Sequence, residues 1–311
     1  MLKFVTFAVK LQLNVHDFNN EAVAGNVTDI RIMEFLDEEG KRIEAPAVSG
    51  RMLKHWHYEG MRHLILNGPY KDIIPLCEGC KAGEPIRPGE IENNRLIQVS
   101  KPEEEAIQSC VVCDIHGYLI AQRAEGEGDR GVSARRTSRA MFSWLMPVLG
   151  FDTASKQVIH NRVSFDPSVM IPFYKSYASG VYAFVSALDV DRIGLVELNL
   201  GSENPYAVED NVRKERIKVA IEAYRLMLSG QIGASLSHAI PHVNPVEVLV
   251  AYSEKGPLPF PVSPMYLDYI SKTRGLMPED ATLLYWGSDT PEGVIKKNSI
   301  NEILNELLSK I

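Results

Sequence analysis

Hydrophobic and polar residues alternate along the first regular segment of the chain, residues 4–15. Apolar residues occupy every second position there, with Thr6 and Lys10 among the residues between them. A period of two places the apolar side chains on one face of a strand, so the segment predicts a half-buried β-strand with one polar face. Residues 16–31 are polar and rich in Asn, Gly and Asp, which indicates a loop.

A helical period replaces the alternation after Ser49, a favourable N-cap, and ends at Asn67-Gly68-Pro69. Further helices are predicted over 217–228, with Gly230 as the C-terminal cap, and over 264–275 and 300–311. The remaining regular segments predict strands over 181–188, 193–199, 246–251 and 282–286. This order of strands and helices predicts an α+β sheet domain with insertions.

The length of 311 residues permits one large domain or two modest ones. Residues 70–133 are rich in Pro and Gly and interrupt the regular pattern, which predicts an insertion on the scaffold. No apolar run approaches the length of a membrane span. The segment Met1–Val5 leads directly into the strand pattern and lacks a signal-peptide layout, so we expect a cytoplasmic protein with no membrane partner.

All four cysteines fall in two Cys-x-x-Cys pairs, Cys77 with Cys80 and Cys110 with Cys113. Two such pairs with no cysteine left over predict a closed structural zinc site with four thiolate ligands. His116 follows the second pair, and we expect it to be a bystander because four thiolates complete the coordination shell. The alternatives are two disulfides, which are uncommon in a reducing cytosol, or four unligated thiols.

Three arginines, Arg135, Arg136 and Arg139, lie within five residues, with no acidic residue among them. The net charge of the chain is −7, so the cluster does not reflect a basic composition. Arginine suits phosphate oxygens, which makes the cluster a candidate site for an anion. The alternative is a solvated basic loop, or pairing with acids elsewhere in the chain. A second basic run, 213–218, begins a predicted helix and is interpreted as solvated or intersubunit.

An ordered set of short motifs covers nearly the whole chain and resembles the DevR-type CRISPR-associated autoregulator family of the Cas-seven superfamily. The arginine motif is the most specific of them, and the similarity is greatest to archaeal type I-A members that form the backbone of Cascade. The motifs are Ala47–Gly50, Ala134–Arg139, Ile159–Ser164, Ser179–Phe184 and Leu228–Gly233.

The resemblance implies an α+β fold with an RRM-like (ferredoxin-like) core over 1–311 that carries large insertions. One insertion is the cysteine-bearing segment 70–133, and 164–176 matches a thumb-like hairpin. It further implies a non-catalytic subunit of a type I CRISPR Cascade complex that forms a helical filament along CRISPR RNA. Its partners would be CRISPR RNA, further copies of the chain, other Cascade subunits and target DNA paired to the guide.

Candidate RNA-binding residues come from this resemblance together with the need of a backbone-binding groove for distributed cations and polar groups. The basic and polar positions chosen are Asn14, Ser49, Arg51, Lys54, His55, Arg135, Arg136, Arg139, His160, Arg162 and Lys175. Two departures from the family pattern stand out. The cysteine pairs are not a general family feature, and the glycine segment 233–238 is less basic than in relatives.

Two other functions compete with the RNA scaffold. A metal-independent endoribonuclease that processes CRISPR RNA on a ferredoxin-like fold would use His55, His57 or His160 as acid or base. The glycine-rich loop expected near its C-terminus is absent from the sequence of 256–311. A zinc enzyme is disfavoured by a ligand set made only of thiolates.

Overall fold

The first strand, β1 (Phe4–Asn14), lies at the centre of the main sheet in the computed structural model. The structure describes residues 1–14, 22–24, 27–122, 132–163, 170–231 and 240–311. Apolar core covers β1 on both faces: Phe7 and Val9 join the larger core cluster, and Ala8 joins a smaller one on the opposite face. The predicted strand is therefore confirmed, but the predicted polar face is wrong, because Lys10 is nearly buried in an ion pair with Glu247.

The long central strands pair antiparallel and carry helices packed against the sheet, which confirms the α+β class. The other strands are β2 (Ala22–Ala24), β3 (Val27–Asp29), β4 (Ile32–Leu36), β5 (Arg42–Pro46), β6 (Gly89–Glu92), β7 (Arg95–Gln98), β8 (Tyr118–Gln122), β9 (Val132–Arg136), β10 (Ala140–Phe142), β11 (Met146–Pro147), β12 (Ala154–Val163), β13 (Met170–Asp189), β14 (Val243–Ser253), β15 (Thr282–Trp286) and β16 (Ile295–Lys296). The helices are α1 (Gly50–Asn67), α2 (Glu78–Ala82), α3 (Glu103–Ser109), α4 (Val111–His116), α5 (Asp210–Leu228), α6 (Tyr269–Leu276) and α7 (Ile300–Ser309).

The main sheet is mixed and has the order β16-β15-β14-β1-β13-β3-β2, and β10, β11 and β12 also pair with β13. β1 is antiparallel to both neighbours, with Val9 opposite Phe184 on β13 and Val248 on β14. Helices α1 and α5 cover one face of the sheet, where Tyr58 and Tyr224 are fully buried. The sheet and these two helices form the frame that holds the candidate site.

Most of the predicted elements are confirmed, with two errors in the second half. Residues 193–199 form turns and a short 3-10 helix (Glu197–Asn199) instead of a strand. The reason is that Gly194 adopts φ +81° and donates its N–H to the buried carboxylate of Asp114, which turns the chain. Helix α6 begins only at Tyr269, and the loop predicted over 16–31 contains β2 and β3.

Residues 70–122 contain more regular structure than their Pro and Gly content indicates. Helices α2, α3 and α4, the β6–β7 hairpin and β8 all lie there. The segment also packs into the main core, because Cys110, Val112 and Ile115 belong to the same buried cluster as the apolar residues of α1 and α5.

Strands β12 and β13 form a long hairpin, in register from Ala154 opposite Ser179 to Val163 opposite Met170. The predicted thumb, 164–176, therefore overlaps one arm of this hairpin, and its residues 164–169 lie outside the described residues. The glycine segment 233–238 lies outside them as well. In the described ranges, no helix combines the length and apolar character needed to cross a membrane.

Candidate functional site: a cationic cleft and a four-cysteine cluster

Two adjoining clefts extend from the N-terminus of α1 to the β8–β9 hairpin. One has a volume of about 590 Å³ and the other about 360 Å³, and Lys54 and Ser138 line both. We call the pair the cationic cleft, because the described residues that line it include five basic side chains and no carboxylate. The five are Arg31, Arg51, Lys54, Arg87 and Arg136.

The start of α1 forms one wall of the cationic cleft. Ser49 caps the helix as predicted, and its Oγ accepts a hydrogen bond from the Met52 N–H at 3.3 Å. Gly50 permits a close approach to the chain after β10, since an added Cβ would lie 2.5 Å from the Phe142 carbonyl oxygen. No acidic residue lies in the first turn, so nothing there neutralises the positive end of the helix dipole. This wall favours an anion.

Lys54 and Arg87 give the cleft positive charge that the described carboxylates do not neutralise. Neither has an ion pair with a described residue, and the Arg87 guanidinium lies over the Tyr58 ring, 4.6 Å from its centroid. Burial and the nearby charge of Arg87 lower the pKa of Lys54 to about 8. A bound anion would relieve this repulsion, so the two cations favour an anionic ligand.

The three arginines of the cluster have different environments: Arg135 is exposed, whereas Arg136 and Arg139 are buried. Arg135 is exposed on β9, opposite Leu119 of β8, which lines the cleft. Directly opposed residues of an antiparallel pair point to the same face, so Arg135 shares the face of Leu119, although it is not among the residues that line the cleft. Arg136 differs: its side chain is buried, with Nη2 donating to Asp114 Oδ1 at 2.5 Å and Nη1 to Glu103 Oε1 at 2.6 Å.

Arg139 is also buried and pairs with Glu197, and burial lowers its pKa. The expectation that all three arginines face an RNA groove does not agree with this arrangement. Arg136 and Arg139 instead follow the alternative of pairing with acids elsewhere in the chain, because buried guanidinium groups need acceptors. Only Arg135 of the three presents an exposed guanidinium group.

Asp114 is the carboxylate that the buried side chains of Arg136 and Arg216 share. This fully buried carboxylate accepts hydrogen bonds from Arg136, from Arg216 at 2.9 Å and from the Gly194 N–H at 3.0 Å. It thereby joins α4, β9 and α5. Arg216 has no exposed surface and Arg213 only 3%, so the expectation that the basic run 213–218 is solvated or intersubunit is wrong for these two residues.

The predicted RNA-binding residues Asn14, His55, His160 and Lys175 do not line the cationic cleft. Asn14 ends β1 and donates to Ser179 at the base of the β12–β13 hairpin, at 2.9 Å. On that hairpin, His160 is 2.6 Å from the Tyr177 hydroxyl and stacks on Phe173. His55 is exposed on α1, Lys175 lies over the Tyr177 ring, and Arg162 belongs to β12 with its side chain outside the described residues.

The four cysteines form one cluster, as the spacing predicts. Their sulfur atoms all lie within 4.8 Å of one another, and Cys77 Sγ is 3.8 Å from Cys113 Sγ. Four sulfurs placed tetrahedrally about 2.3 Å from one ion would be about 3.8 Å apart, so the cluster has the dimensions of a tetrahedral metal site. All four thiols are free, and all except Cys77 are buried.

The two Cys-x-x-Cys pairs lie at helix starts, where backbone N–H groups support a thiolate. The Cys113 N–H donates to Cys110 Sγ at 3.4 Å, and the Gly89 N–H donates to Cys77 Sγ at 3.4 Å. Hydrogen bonding from the other three thiols, together with the Gly89 N–H, lowers the pKa of Cys77 far below its usual range. Gly79 allows the first pair to pack closely, because an added Cβ would overlap the Ile86 carbonyl oxygen.

Sequence reasoning missed several residues of the cationic cleft. Arg31, which lies 5.4 Å from the Trp144 ring centroid, falls in a segment interpreted as loop. Arg87 and Gln98 lie in the segment interpreted as irregular, and no local pattern identifies them. The one indication in the sequence was that Arg87 and Gln98 lie between the two cysteine pairs, in a segment predicted to fold around a metal.

Comparisons with known sequences agree on one family. The sequence model described as CRISPR-associated negative auto-regulator DevR/Csa2 matches residues 7–274. The CRISPR-associated protein Cas7/Cst2/DevR of Methanocaldococcus jannaschii is 28% identical and aligns over 99% of this chain and 98% of that protein. The CRISPR-associated aCascade subunit Cas7/Csa2 2 of Saccharolobus solfataricus is 25% identical, over 86% of this chain and 84% of that protein.

Solved structures share the fold. A chain titled CRISPR RNA-guided surveillance complex superposes with a TM-score of 0.55 at 14% identity and covers 98% of both chains. A chain of the same kind of complex in a pre-nicking state gives a TM-score of 0.57 at 13% identity, over 98% of this chain and 99% of that one. At these identities, the comparison establishes a common architecture.

Proposed function

Because the chain belongs to the CRISPR-associated DevR/Csa2 family, we propose that it is a backbone subunit of a Cascade-like complex and binds CRISPR RNA. The observation that carries this proposal is the cationic cleft in a chain of net charge −7, whose described lining has no carboxylate and five basic side chains, of which Arg136 is paired with Asp114 and Glu103. Binding of a nucleic-acid backbone depends on such local positive charge and reads phosphates rather than base identity. The similarity of this chain to a relative that is named an aCascade subunit supports the same assignment.

The arrangement of the main elements supports an RRM-like core. Along the chain, a strand (β1), a helix (α1), two paired strands (β12 and β13), a helix (α5) and a strand (β14) follow one another. In the sheet, β1 lies between β14 and β13, and β12 lies beyond β13. We propose that this is a ferredoxin-like core in a single domain over 1–311, with the cysteine-bearing segment as an insertion on it.

We propose that copies of the chain assemble along the guide with other Cascade subunits and present it to target DNA. The β12–β13 hairpin supports self-association because it leaves Val158 and Ile159 exposed, at 37% and 58%. Asn14, His160, Arg162 and Lys175 lie on or beside this hairpin. Their proposed contact with RNA is therefore separate from the contacts made in the cationic cleft.

We further propose that the four cysteines hold one structural zinc ion. The dimensions of the cluster fit a zinc ion. The resemblance to the family gives no support for one, because the cysteine pairs are not a general family feature. When bound, zinc would cross-link α2 and α4 through its thiolate ligands, with no open coordination position for chemistry. A zinc in this place stabilises the wall that carries Arg87 and His116, without itself contacting RNA.

Removing charge from the cleft tests the RNA-binding proposal. We expect the double variant Arg51→Ala, Lys54→Ala to bind single-stranded RNA at least about tenfold more weakly, for every sequence alike. The log–log dependence of affinity on salt should flatten by about one to one and a half, since about 0.7 counterion is released per neutralised phosphate of a single strand. Fluorescence anisotropy over a salt series measures both quantities.

The matched control is Lys41→Ala, Lys71→Ala, which removes the same charge from exposed residues outside the cleft. Equal losses in both double variants would mean that binding responds to net charge alone.

The integrity of the RNA recovered from the assay tests the competing endoribonuclease function. Site-specific cleavage that His160→Ala abolishes would favour the endoribonuclease, for which the contact between His160 and Tyr177 offers an acid–base pair.

RNA affinity should depend on pH through Lys54. This lysine binds phosphate only in its charged form, and its pKa of about 8 means that the free cleft loses the proton as pH rises through about 8. We expect affinity for an oligoadenylate, whose bases do not titrate in this range, to fall above that pH. In Lys54→Arg the guanidinium stays charged, so the profile should be flat. A flat profile in the unmodified chain would show that Lys54 is not a phosphate contact.

A further inference from the structure

Two buried histidines, His57 and His116, share a hydrogen bond that determines which nitrogen carries each proton. His57 Nε2 is 2.8 Å from the Ala220 carbonyl oxygen, so it must be protonated and donate. Burial lowers the pKa of His57 to about 4, which leaves its Nδ1 without a proton. That Nδ1 lies 2.9 Å from His116 Nε2, which must therefore be the donor.

This assignment leaves His116 Nδ1 as an acceptor. Burial, followed by the nearby positive charges of Arg87 and Lys54, keeps His116 neutral, with a pKa well below its usual value. Its Nδ1 is buried and has no hydrogen-bond partner in the described part of the chain, although His116 lines the smaller part of the cationic cleft. A buried acceptor without a donor is costly, and it points to a donor that a ligand supplies.

The cations of the same part of the cleft define the rest of the ligand. Lys54 and Arg87 also line it and lack ion pairs with described residues, and the Nε of Arg87 is a second buried group with no partner among those residues. The Gln98 side chain fixes this wall by donating to the Arg87 carbonyl oxygen at 2.6 Å and to that of Leu119 at 3.0 Å. The site therefore requires an anion beside a hydrogen-bond donor, within a volume of about 360 Å³.

We propose that this part of the cleft binds one ribonucleotide of an RNA strand, with the phosphate between Lys54 and Arg87 and the ribose 2′-hydroxyl donating to His116 Nδ1. The inference rests on the proposed RNA-binding function and adds that the chain selects RNA over DNA at this position. A ribonucleotide carries the hydroxyl donor next to a phosphate, whereas a deoxyribonucleotide has no group to satisfy His116.

The test compares the affinity of the full chain for short oligouridylate, oligodeoxyuridylate and 2′-O-methyl oligouridylate of one length. We expect about three- to tenfold tighter binding of the ribose form than of either other form, as for one hydrogen bond. His116→Gln retains an amide donor toward His57 and removes the Nδ1 acceptor, so it should bring the ratio close to one by weakening only RNA. Arg87→Gln should weaken all three alike, and Arg95→Gln, at an exposed position outside the cleft, should change nothing.

The outcomes separate this inference from the proposed function. A chain that binds none of the three oligonucleotides contradicts RNA binding itself. Equal affinity for the ribose and deoxyribose forms overturns the inference while RNA binding stands, whether or not His116→Gln folds. A folded His116→Gln variant, verified by its melting curve, that keeps the full preference for RNA also overturns it.

Discussion

Replacing Asp114 by Asn should lower the free energy of unfolding by about 3–5 kcal/mol, which we expect to be the largest effect of a single substitution in this chain. The carboxylate has no exposed surface and neutralises the equally buried side chains of Arg136 and Arg216. Asn preserves the shape but removes the charge, so the two guanidinium groups would lose their shared counter-charge. Chemical denaturation monitored by circular dichroism measures the loss.

The control for this prediction is Asp191→Asn. Asp191 also has two basic neighbours, Lys3 at 2.6 Å and Arg213 at 3.9 Å, but its side chain is 42% exposed. Exposed ion pairs contribute little, so this variant should stay within about 1 kcal/mol of the parent chain. Comparable losses in the two variants would show that burial of Asp114 does not determine its contribution.

The double variant Cys80→Ser, Cys113→Ser should lose the metal and several kcal/mol of stability, because metal binding in a structural site contributes directly to folding. Residues 70–122 should then become sensitive to protease. The effect should also reach the main core, since Cys110 and Val112 pack in the same cluster as α1 and α5. Metal analysis, limited proteolysis and the melting temperature of the full chain measure these effects.

A chelator provides the matched comparison for the metal. It should lower the melting temperature of the parent chain and leave that of the double serine variant unchanged. The parent chain purified without chelator should contain about one zinc per molecule, as for a site with four thiolate ligands. No zinc, four thiols that react readily and a melting temperature indifferent to chelator would together refute the site.

Local sequence patterns were sufficient for much of the frame. The capping serine, Ser49, and the glycine after α5, Gly230, marked helix ends because capping depends on residues adjacent in sequence. The cysteine cluster was equally accessible, since two Cys-x-x-Cys pairs specify their own chemistry. The helix caps act within a few residues, whereas the two cysteine pairs meet across 36 residues and are recognised by their residue type and spacing.

Interactions between distant residues account for the errors. Nothing near Arg136 shows that its partner is Asp114, 22 residues earlier, which in turn pairs with Arg216, 102 residues later. The arginine motif therefore suggested an exposed anion site where the fold buries a charge network. The cationic cleft was missed in part for the same reason, because Arg87 and His116 meet Lys54 only after the cysteine-bearing segment folds against α1.

The most direct test of the account is to purify the chain from its native cells and sequence the RNA that accompanies it. We expect CRISPR RNA, with several copies of the chain on each guide and with the amount reduced in the Arg51→Ala, Lys54→Ala variant but not in Lys41→Ala, Lys71→Ala. A chain that purifies without RNA, or with RNA that shows no enrichment in CRISPR sequences, would contradict the account.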